Sequence, residues 1–306
     1  MTSRRRFLGA GAALGGAGLL TPAATTARPR SPPGARQYRL YVPGPYGQIH
    51  LTITEPLARQ PKAPPVVCLP MAPRSGRDFD EFALALADHR LVIAPDVPGF
   101  GGSDAPPAPP GIEDYAAAIL AGLDTLLDRS ARAAGLDFVG QHTGAAIAVA
   151  AAIRSPAHVR RIATIGVPLF EAVELERLRA QFAKPRPYFT DPRFLCSAWE
   201  RDAAAITGGL SSERMLLRFT EIMRAGVRSH WGFAAVFNYD MNLALSRLSR
   251  PLLAVVLNEN LAAASRKAAQ LAPHGKVVEL PDLPGSAIDF ASQRLADVCR
   301  DFFAAT

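Results

Sequence analysis

The stretch that decides the fold is LDFVGQHTGAAIAVAAA, residues 136–152. Its first five residues, which are apolar except for Asp137, predict a buried strand, and its alanine-rich end predicts a helix. Between the two, Gly140 and Gly144 frame a sharp turn, and His142 occupies its centre. The central residue of such a turn usually has a positive φ, which histidine tolerates better than most residues. The sequence therefore predicts a strand–turn–helix unit that projects an imidazole into a pocket.

Short apolar runs alternate with helical stretches along most of the chain. A β-hairpin is predicted in residues 37–56. The later runs with the character of buried strands are PPVVCLP, LVIAPDVPG, RIATIGVP, PLLAVVLN and KVVELP. Buried strands that alternate with helices are typical of the α/β class, in which a mostly parallel, doubly wound sheet is covered on both faces. In such sheets we expect functional side chains at the carboxyl ends of the strands.

Residues 171–247 interrupt this alternation. They contain amphipathic helical stretches such as MLLRFTEIMRAG, together with aromatic residues and prolines, but no clear strand. We expect this segment to be an inserted helical cap. Residues 28–170 and 248–306 would then form the two parts of the core.

Residues 1–27 have the character of an export signal. Three arginines at positions 4–6 precede a Gly/Ala/Leu stretch, and small residues then offer cleavage points after Ala24 or Ala27. This pattern is typical of a twin-arginine signal. A membrane anchor is the alternative, but the apolar stretch is rich in glycine and shorter than the roughly 20 residues that span a bilayer. We expect export to the periplasm or the extracellular space by the twin-arginine machinery, without a stable membrane anchor.

The rest of the chain has a modest positive charge. The formal net charge of +7 falls to +4 when the three arginines of the signal are removed (7 − 3). This excess is too small and too scattered to indicate a nucleic-acid partner. The three cysteines lie far apart and outside any metal or redox spacing, and no phosphate loop or dinucleotide fingerprint occurs. We therefore expect neither a metal nor a cofactor.

Three segments resemble the α/β-hydrolase superfamily. The unit around His142 is similar to the family's nucleophile elbow. Residues 64–104 resemble the stretch from the oxyanion-hole strand through the Asp-x-x-Gly-x-Gly-x-Ser loop, which here begins at Asp96 and ends at Ser103. PLLAVVLN and KVVELP resemble the last two strands. The resemblance covers residues 37–303 and implies the α/β-hydrolase fold.

The residues at the family's catalytic positions depart from its pattern. His142 stands where the family places Ser, Cys or Asp, and Pro70-Met71 stands where it places a His-Gly pair. The loop after PLLAVVLN is shortened relative to the usual one, so that Asn260 or Leu261 stands where the family has Asp, and Glu259 is a weak substitute. No histidine follows His274, so the family's general base is absent. A Ser-His-Asp relay cannot be assembled, and conventional esterase chemistry is not expected.

His142 is instead a candidate acid/base. A helix N-terminus favours the neutral imidazole, which can accept a proton near neutral pH. The backbone N–H groups of Thr143 and Met71 are candidates for stabilising a developing negative charge. This set suits proton transfer better than acyl transfer. We expect elimination, isomerisation or cyclisation of a small apolar molecule, such as a secondary metabolite.

Other residues are candidates for holding the substrate or for orienting His142. Aromatic side chains of the cap suit an apolar ligand, although they are equally suited to packing within the cap. The candidate substrate contacts are Gln141, Arg74, His230, Trp231, Phe237, Tyr239 and Asp240. Glu259 and Asp289 are the candidate orienting acids.

Two alternatives to this function stay open at the level of sequence. In the first, the protein is a hydrolase in which His142 activates water with the help of Glu259, Asp240 or Asp289. In the second, it is a non-catalytic protein that binds a small molecule in the inherited pocket. The first predicts solvent oxygen in the product, and the second predicts a ligand that is recovered unchanged.

Overall fold

Eight strands form one sheet. In chain order they are β1 (Ala35–Gly44), β2 (Gly47–Pro56), β3 (Val66–Leu69), β4 (Val92–Pro95), β5 (Leu136–Gln141), β6 (Val159–Ile165), β7 (Leu252–Asn258) and β8 (Gly275–Pro284). Their order across the sheet is β1-β2-β4-β3-β5-β6-β7-β8. Strands β1 and β2 form the predicted hairpin and pair antiparallel, as do β2 and β4. All the other pairs are parallel, which confirms the predicted fold class.

The computed structural model describes residues 34–57, 63–185, 187, 190–204, 206 and 209–305. The expected export signal and its two cleavage points lie outside the described residues. Within the described part, no helix is both long enough and apolar enough to cross a membrane.

Six helices accompany the strands of the sheet. They are α1 (Asp80–Leu86), α2 (Ile112–Leu126), α3 (Arg129–Ala133), α4 (Thr143–Arg154), α10 (Ala262–Leu271) and α11 (Ser292–Ala304). The sequence pattern from residue 113 to about residue 132 predicts one continuous helix, but the structure contains two helices there, α2 and α3. The chain becomes extended at Leu127, and the Asp128 carboxylate caps a new helix by accepting from the Ala131 N–H at 2.8 Å.

Both faces of the sheet are covered, so the apolar core has two parts. Adjacent residues of β5 point to opposite faces, as the two-residue period of a strand requires. Phe138 packs in the same cluster as Ile119 of α2 and Ile147 of α4. Val139 packs in the other cluster, with Phe82 of α1. Because β5 is buried on both faces, its sequence is mostly apolar rather than alternating, and its buried Asp137 carboxylate pairs with Arg160 and Arg90.

Among the described residues, five further α-helices lie between β6 and β7 in the chain. They are α5 (Ala172–Phe182), α6 (Pro192–Ala204), α7 (Ser212–Ala225), α8 (Trp231–Phe237) and α9 (Met241–Ser246). The described part of residues 171–247 contains no strand. The boundaries between core and cap stay a prediction, but the helical character of the segment follows the sequence pattern.

Candidate active site

His142 occupies the turn between β5 and α4. It is the N-cap residue of α4 and has φ 47° and ψ −109°, the only positive φ of a non-glycine residue in the part of the chain that the structure describes. Its backbone N–H donates to the Ile165 carbonyl at 3.0 Å, which ties the turn to the end of β6. Left-handed backbone at a non-glycine residue is strained and is concentrated at functional sites. The turn thus holds the imidazole above the carboxyl end of the sheet.

Two glycines allow the turn to be this tight. A Cβ on Gly140 would lie 2.6 Å from the Ala145 nitrogen and would also collide with the Gly144 carbonyl oxygen. A Cβ on Gly144 would collide with the Leu69 carbonyl and lie 2.9 Å from the Pro70 carbonyl oxygen. The second contact shows that the end of β3 packs directly against the turn. Both glycines are therefore required by close packing of backbone against backbone.

The His142 side chain pairs with Glu259. Its Nε2 lies 2.9 Å from the Glu259 Oε2, and the two side chains are 25% and 11% exposed. Glu259 directly follows β7, so the shortened loop after that strand still brings a carboxylate to the elbow residue. The other oxygen, Oε1, is buried and accepts no hydrogen bond from the described residues. We refer to His142 and Glu259 as the dyad.

The pairing fixes which nitrogen of the ring can act. A carboxylate has only acceptors, so the Nε2 of His142 must carry the hydrogen and donate it to Glu259. In the neutral ring, Nδ1 is then the nitrogen with the free lone pair. The dyad can accept a proton at Nδ1 while the carboxylate stabilises the resulting imidazolium.

The two candidate N–H donors belong to segments that flank the turn. Thr143 is the first residue of α4 and follows His142 directly. Met71 lies in the loop after β3, which is held beside the turn by the close approach of Leu69 and Pro70 to Gly144. The Met71 carbonyl accepts from the Arg74 N–H at 2.9 Å and closes a turn in this loop. The arrangement thus brings the ends of both backbone segments together at the elbow, and the role of their N–H groups stays a prediction.

Arg74 and Asp289 lie in a different group of charges. The Arg74 Nη1 donates to the Asp78 Oδ2 at 3.1 Å and lies 3.9 Å from the Asp289 Oδ2. The Asp289 Oδ1 accepts from the Arg214 Nε at 3.0 Å and from its Nη2 at 2.6 Å. Asp289 therefore pairs with arginines rather than with His142, because the short turn that carries it faces α7. The buried Arg74 guanidinium is likewise already paired, which removes the reason to expect it to clamp a substrate.

Residues 230–240 do not form one pocket. Phe237 is buried and packs against Phe170 and Phe182, so its role is in the core rather than in substrate contact. His230 is also buried, and its Nδ1 lies 2.9 Å from the Val227 carbonyl oxygen. The Trp231 ring packs beside Gly99, because a Cβ added to Gly99 would lie 3.7 Å from the Trp231 Cε3. These three residues connect the helices of this segment to one another and to the core.

Tyr239 and Asp240 border a cavity of about 240 Å³. Its wall also includes the exposed Arg179, whose Nε donates to the Phe237 carbonyl at 2.6 Å. Burial raises the pKa of the Tyr239 hydroxyl to about 12, with smaller contributions from nearby Glu113 and Asp240. Asp240 already accepts from the Leu243 N–H as the N-cap of α9. These two predicted contacts thus share a cavity, but His142 is not part of its lining.

Gln141 ends β5 immediately before the elbow. Its side chain is buried, and its Oε1 has no hydrogen-bond partner in the described part of the chain. A buried amide oxygen without a partner is costly, so such a group marks a position where a polar ligand or water would be stabilised. Gln141 thus stays a candidate substrate contact.

The sequence analysis missed two glycines that surround the dyad. A Cβ on Gly166 would lie 2.5 Å from the Glu259 Oε1 and 2.6 Å from the His142 Nε2. A Cβ on Gly285 would lie 2.6 Å from the Glu259 Oε2. Each glycine directly follows an observed strand, β6 or β8, whereas the predicted strand RIATIGVP includes Gly166 and the predicted strand KVVELP ends four residues before Gly285.

Comparison with known proteins agrees with this architecture. Residues 64–196 match the family described as alpha/beta hydrolase fold. A stretch of 83 residues is 42% identical to a 2-hydroxy-6-oxo-2,4-heptadienoate hydrolase from Pseudomonas putida. That match spans only 26% of this chain and 28% of the relative.

Solved structures share the fold over a larger part of the chain. A hydrolase from Pseudomonas aeruginosa PA01 has a TM-score of 0.69 at 19% identity, with 87% of this chain and 98% of that chain covered. The enol-lactonase from Burkholderia xenovorans LB400 has a TM-score of 0.64 at 21% identity, with 87% and 100% covered. With the family match over residues 64–196, the strand order and the elbow, these similarities show that the chain has the α/β-hydrolase fold.

Proposed function

We propose that the protein is an exported enzyme that uses His142 for general acid/base catalysis without a covalent intermediate. The observation that carries the proposal is the 2.9 Å contact between the His142 Nε2 and the Glu259 Oε2. It leaves Nδ1 as a base on a ring whose orientation the carboxylate fixes. The reaction is non-hydrolytic: an elimination, isomerisation or cyclisation of a small apolar molecule.

The proposed mechanism uses only groups at the carboxyl end of the sheet. Nδ1 of His142 removes a proton from an acidic C–H or O–H of the substrate, and Glu259 stabilises the imidazolium that forms. The backbone N–H groups of Thr143 and Met71 stabilise the negative charge that develops on the substrate. The imidazolium then returns the proton to another substrate atom or to the leaving group. General acid/base catalysis of this kind contributes about 10²–10⁴ in rate.

The covalent route of the α/β-hydrolases lacks its Ser, Cys or Asp nucleophile at the elbow. The elbow position holds an imidazole, and the only other member of the dyad is the carboxylate that pairs with it. A hydroxyl at another position would need its own adjacent base to attack at neutral pH. Proton transfer by His142 requires no such second pair.

A hydrolase in which His142 activates water is the second candidate. It is favoured by the hydrolase activity of the Pseudomonas putida relative and by the presence of a carboxylate that orients the ring. The two candidates use the same dyad, and they differ in the fate of water. In a hydrolysis, an oxygen atom of the solvent enters the product.

The export part of the proposal rests on residues 1–27 alone. The arginines at positions 4–6 are its specific feature. Expression of the full chain in bacteria with and without a functional twin-arginine translocase tests it. Processed protein outside the cytoplasm only in the competent strain would support export, and identical unprocessed protein in both would contradict it.

The test of function compares wild type with His142→Ala and Glu259→Gln in water labelled with heavy oxygen. The substrates offered are 2-hydroxy-6-oxo-2,4-heptadienoate, an enol-lactone and an extract of apolar metabolites, and the products are identified by mass spectrometry. A wild-type product of unchanged mass, or with one water lost, supports the proposal. Labelled oxygen in the product supports the hydrolase. Equal conversion by His142→Ala overturns both, and a ligand retained unaltered by all three proteins indicates a binding protein.

A further inference from the structure

The dyad joins residues that do not belong to neighbouring strands. His142 follows β5 and Glu259 follows β7, and β6 lies between them in the sheet. Two strand spacings amount to about 9.6 Å, which the two side chains must bridge together. The imidazole therefore passes over the carboxyl end of β6. The residue at that crossing is Gly166, the first residue after β6.

Gly166 leaves the space through which the imidazole passes. A Cβ at this position would lie 2.6 Å from the His142 Nε2 and even closer to its Cδ2. It would also lie 2.5 Å from the Glu259 Oε1. Gly166 has φ +70°, so the backbone adds its own preference for glycine. Any side chain at this position would displace the ring, the carboxylate or both.

Gly285 bounds the carboxylate from the other side. It is the first residue after β8, the other neighbour of β7 in the sheet. A Cβ on Gly285 would lie 2.6 Å from the Glu259 Oε2 and 3.0 Å from the Glu259 Cβ. Gly285 has no positive φ, so only the contact with Glu259 disfavours a side chain there. The two strands that flank β7 thus each place a glycine against one oxygen of Glu259.

We propose that Gly166 and Gly285 are the positioning residues of the dyad. Because neither has a side chain, Glu259 can lie where its carboxylate pairs with His142. This inference rests on the proposed function, because the pairing of Glu259 with His142 affects catalysis only if His142 is the base. Neither glycine touches the nitrogen that would accept the substrate's proton. Both act through the carboxylate, and Gly166 also acts through the imidazole.

The test uses Gly166→Ala and Gly285→Ala, with Gly209→Ala as a matched control. Gly209 has φ +100°, and a Cβ added there would have nothing within 4 Å, so its alanine variant reports the cost of positive φ without a collision. Nitrogen NMR of the His142 ring, assigned from the signals missing in His142→Ala, reports the pairing without any substrate. Thermal unfolding of each variant reports its stability.

We expect both site variants to lose the ring signals of the paired imidazole and to move toward the spectrum of Glu259→Gln. The Gly209→Ala variant should keep the wild-type ring signals despite its backbone strain. Where a substrate is converted, kcat of the site variants should fall on the order of 100-fold with little change in KM, the effect expected from a misplaced catalytic group. Folded site variants with wild-type His142 signals would overturn the inference.

If strain at position 166 prevents Gly166→Ala from folding, Gly285→Ala is the deciding variant, because the backbone at Gly285 has no positive φ. The NMR result also separates this inference from the proposed function. Altered ring signals in the variants, together with a wild-type protein that converts nothing, would leave the positioning role intact and reject the catalytic one.

Discussion

The Nε2 of His142 lies 2.9 Å from the Oε2 of Glu259, although a whole strand separates the ends of the strands that carry them. Because of this contact, the elbow imidazole reaches the acid directly. The resemblance implied three positions for a nucleophile, a base and an acid, and the structure joins only the first and the last. The result is a carboxylate-oriented base, which suits proton transfer.

Replacement of His142 should abolish catalysis without unfolding the protein. We expect His142→Asn to lose about 10²–10⁴ in kcat, because no base remains at the elbow. Asparagine tolerates positive φ better than alanine does, so His142→Asn should be at least as stable as His142→Ala. Steady-state kinetics and thermal unfolding of both variants check this. Retention of turnover by His142→Asn would show that the proton is transferred elsewhere.

The carboxylate of Glu259 should matter for rate more than for stability. In Glu259→Gln the amide keeps the shape of the side chain but cannot stabilise an imidazolium by its charge, so kcat should fall on the order of 10²-fold or more. Glu279→Gln is the matched control, because Glu279 lies on β8, away from the elbow, and forms an exposed pair with Arg266 of α10. Equal rates for the two variants would contradict a role for Glu259.

Removal of the Asp289 carboxylate should destabilise the contact between α7 and the core. Asp289 is buried and pairs with Arg214 at 2.6 Å, with Arg218 at 3.6 Å and with Arg74 at 3.9 Å. Asp289→Asn would remove the carboxylate nearest to Arg214 and Arg218 and leave their charges less compensated, and breaking a buried ion pair typically costs about 3–5 kcal/mol. Chemical denaturation measures the loss. The exposed Asp282–Arg294 pair offers a control, because Asp282→Asn should leave the free energy of unfolding nearly unchanged.

Asp80 should make the protein less stable as the pH rises from about 4 to about 6. Burial raises the pKa of its carboxyl from 3.8 to about 6, opposed by the nearby Arg77 and Arg214. The folded state therefore binds more protons than the unfolded state in this window, and the free energy of unfolding falls with pH. The whole effect amounts to at most about 3 kcal/mol. Denaturation curves of wild type and Asp80→Asn across this range should diverge in favour of the variant, and parallel curves would contradict the shift.

The sequence predicted the sheet and the elbow because their signals are local. The apolar run of β5, the glycines at 140 and 144 and the alanines of α4 each constrain the backbone of their own segment. The acid after β7 could be named for a similar reason, since the ends of parallel strands meet at one edge. The contact of this acid with His142 could not be predicted, because it depends on the absence of a side chain at Gly166, which follows a different strand.

The partners of Arg74, Asp289 and Phe237 depend on how the helices after β6 fold back. Hydrophobic patterns indicate which face of an element is buried, but not which element covers it. Arg214, the partner of Asp289, is 75 residues away in sequence. Phe237 contacts Phe170 and Phe182 from the start of the same insertion. Pairings at such separations are set by tertiary packing, and a single sequence carries no local signal for them.

The most direct test of the dyad is the protonation state of the two ring nitrogens of His142, measured by nitrogen NMR on the full chain at neutral pH. We predict that Nε2 carries the hydrogen donated to Glu259, so that Nδ1 has the free lone pair whenever the ring is neutral, and we expect Glu259→Gln to change these signals. Hydrogen on Nδ1 of a neutral ring, or a spectrum that Glu259→Gln leaves unchanged, would contradict the dyad and the function built on it.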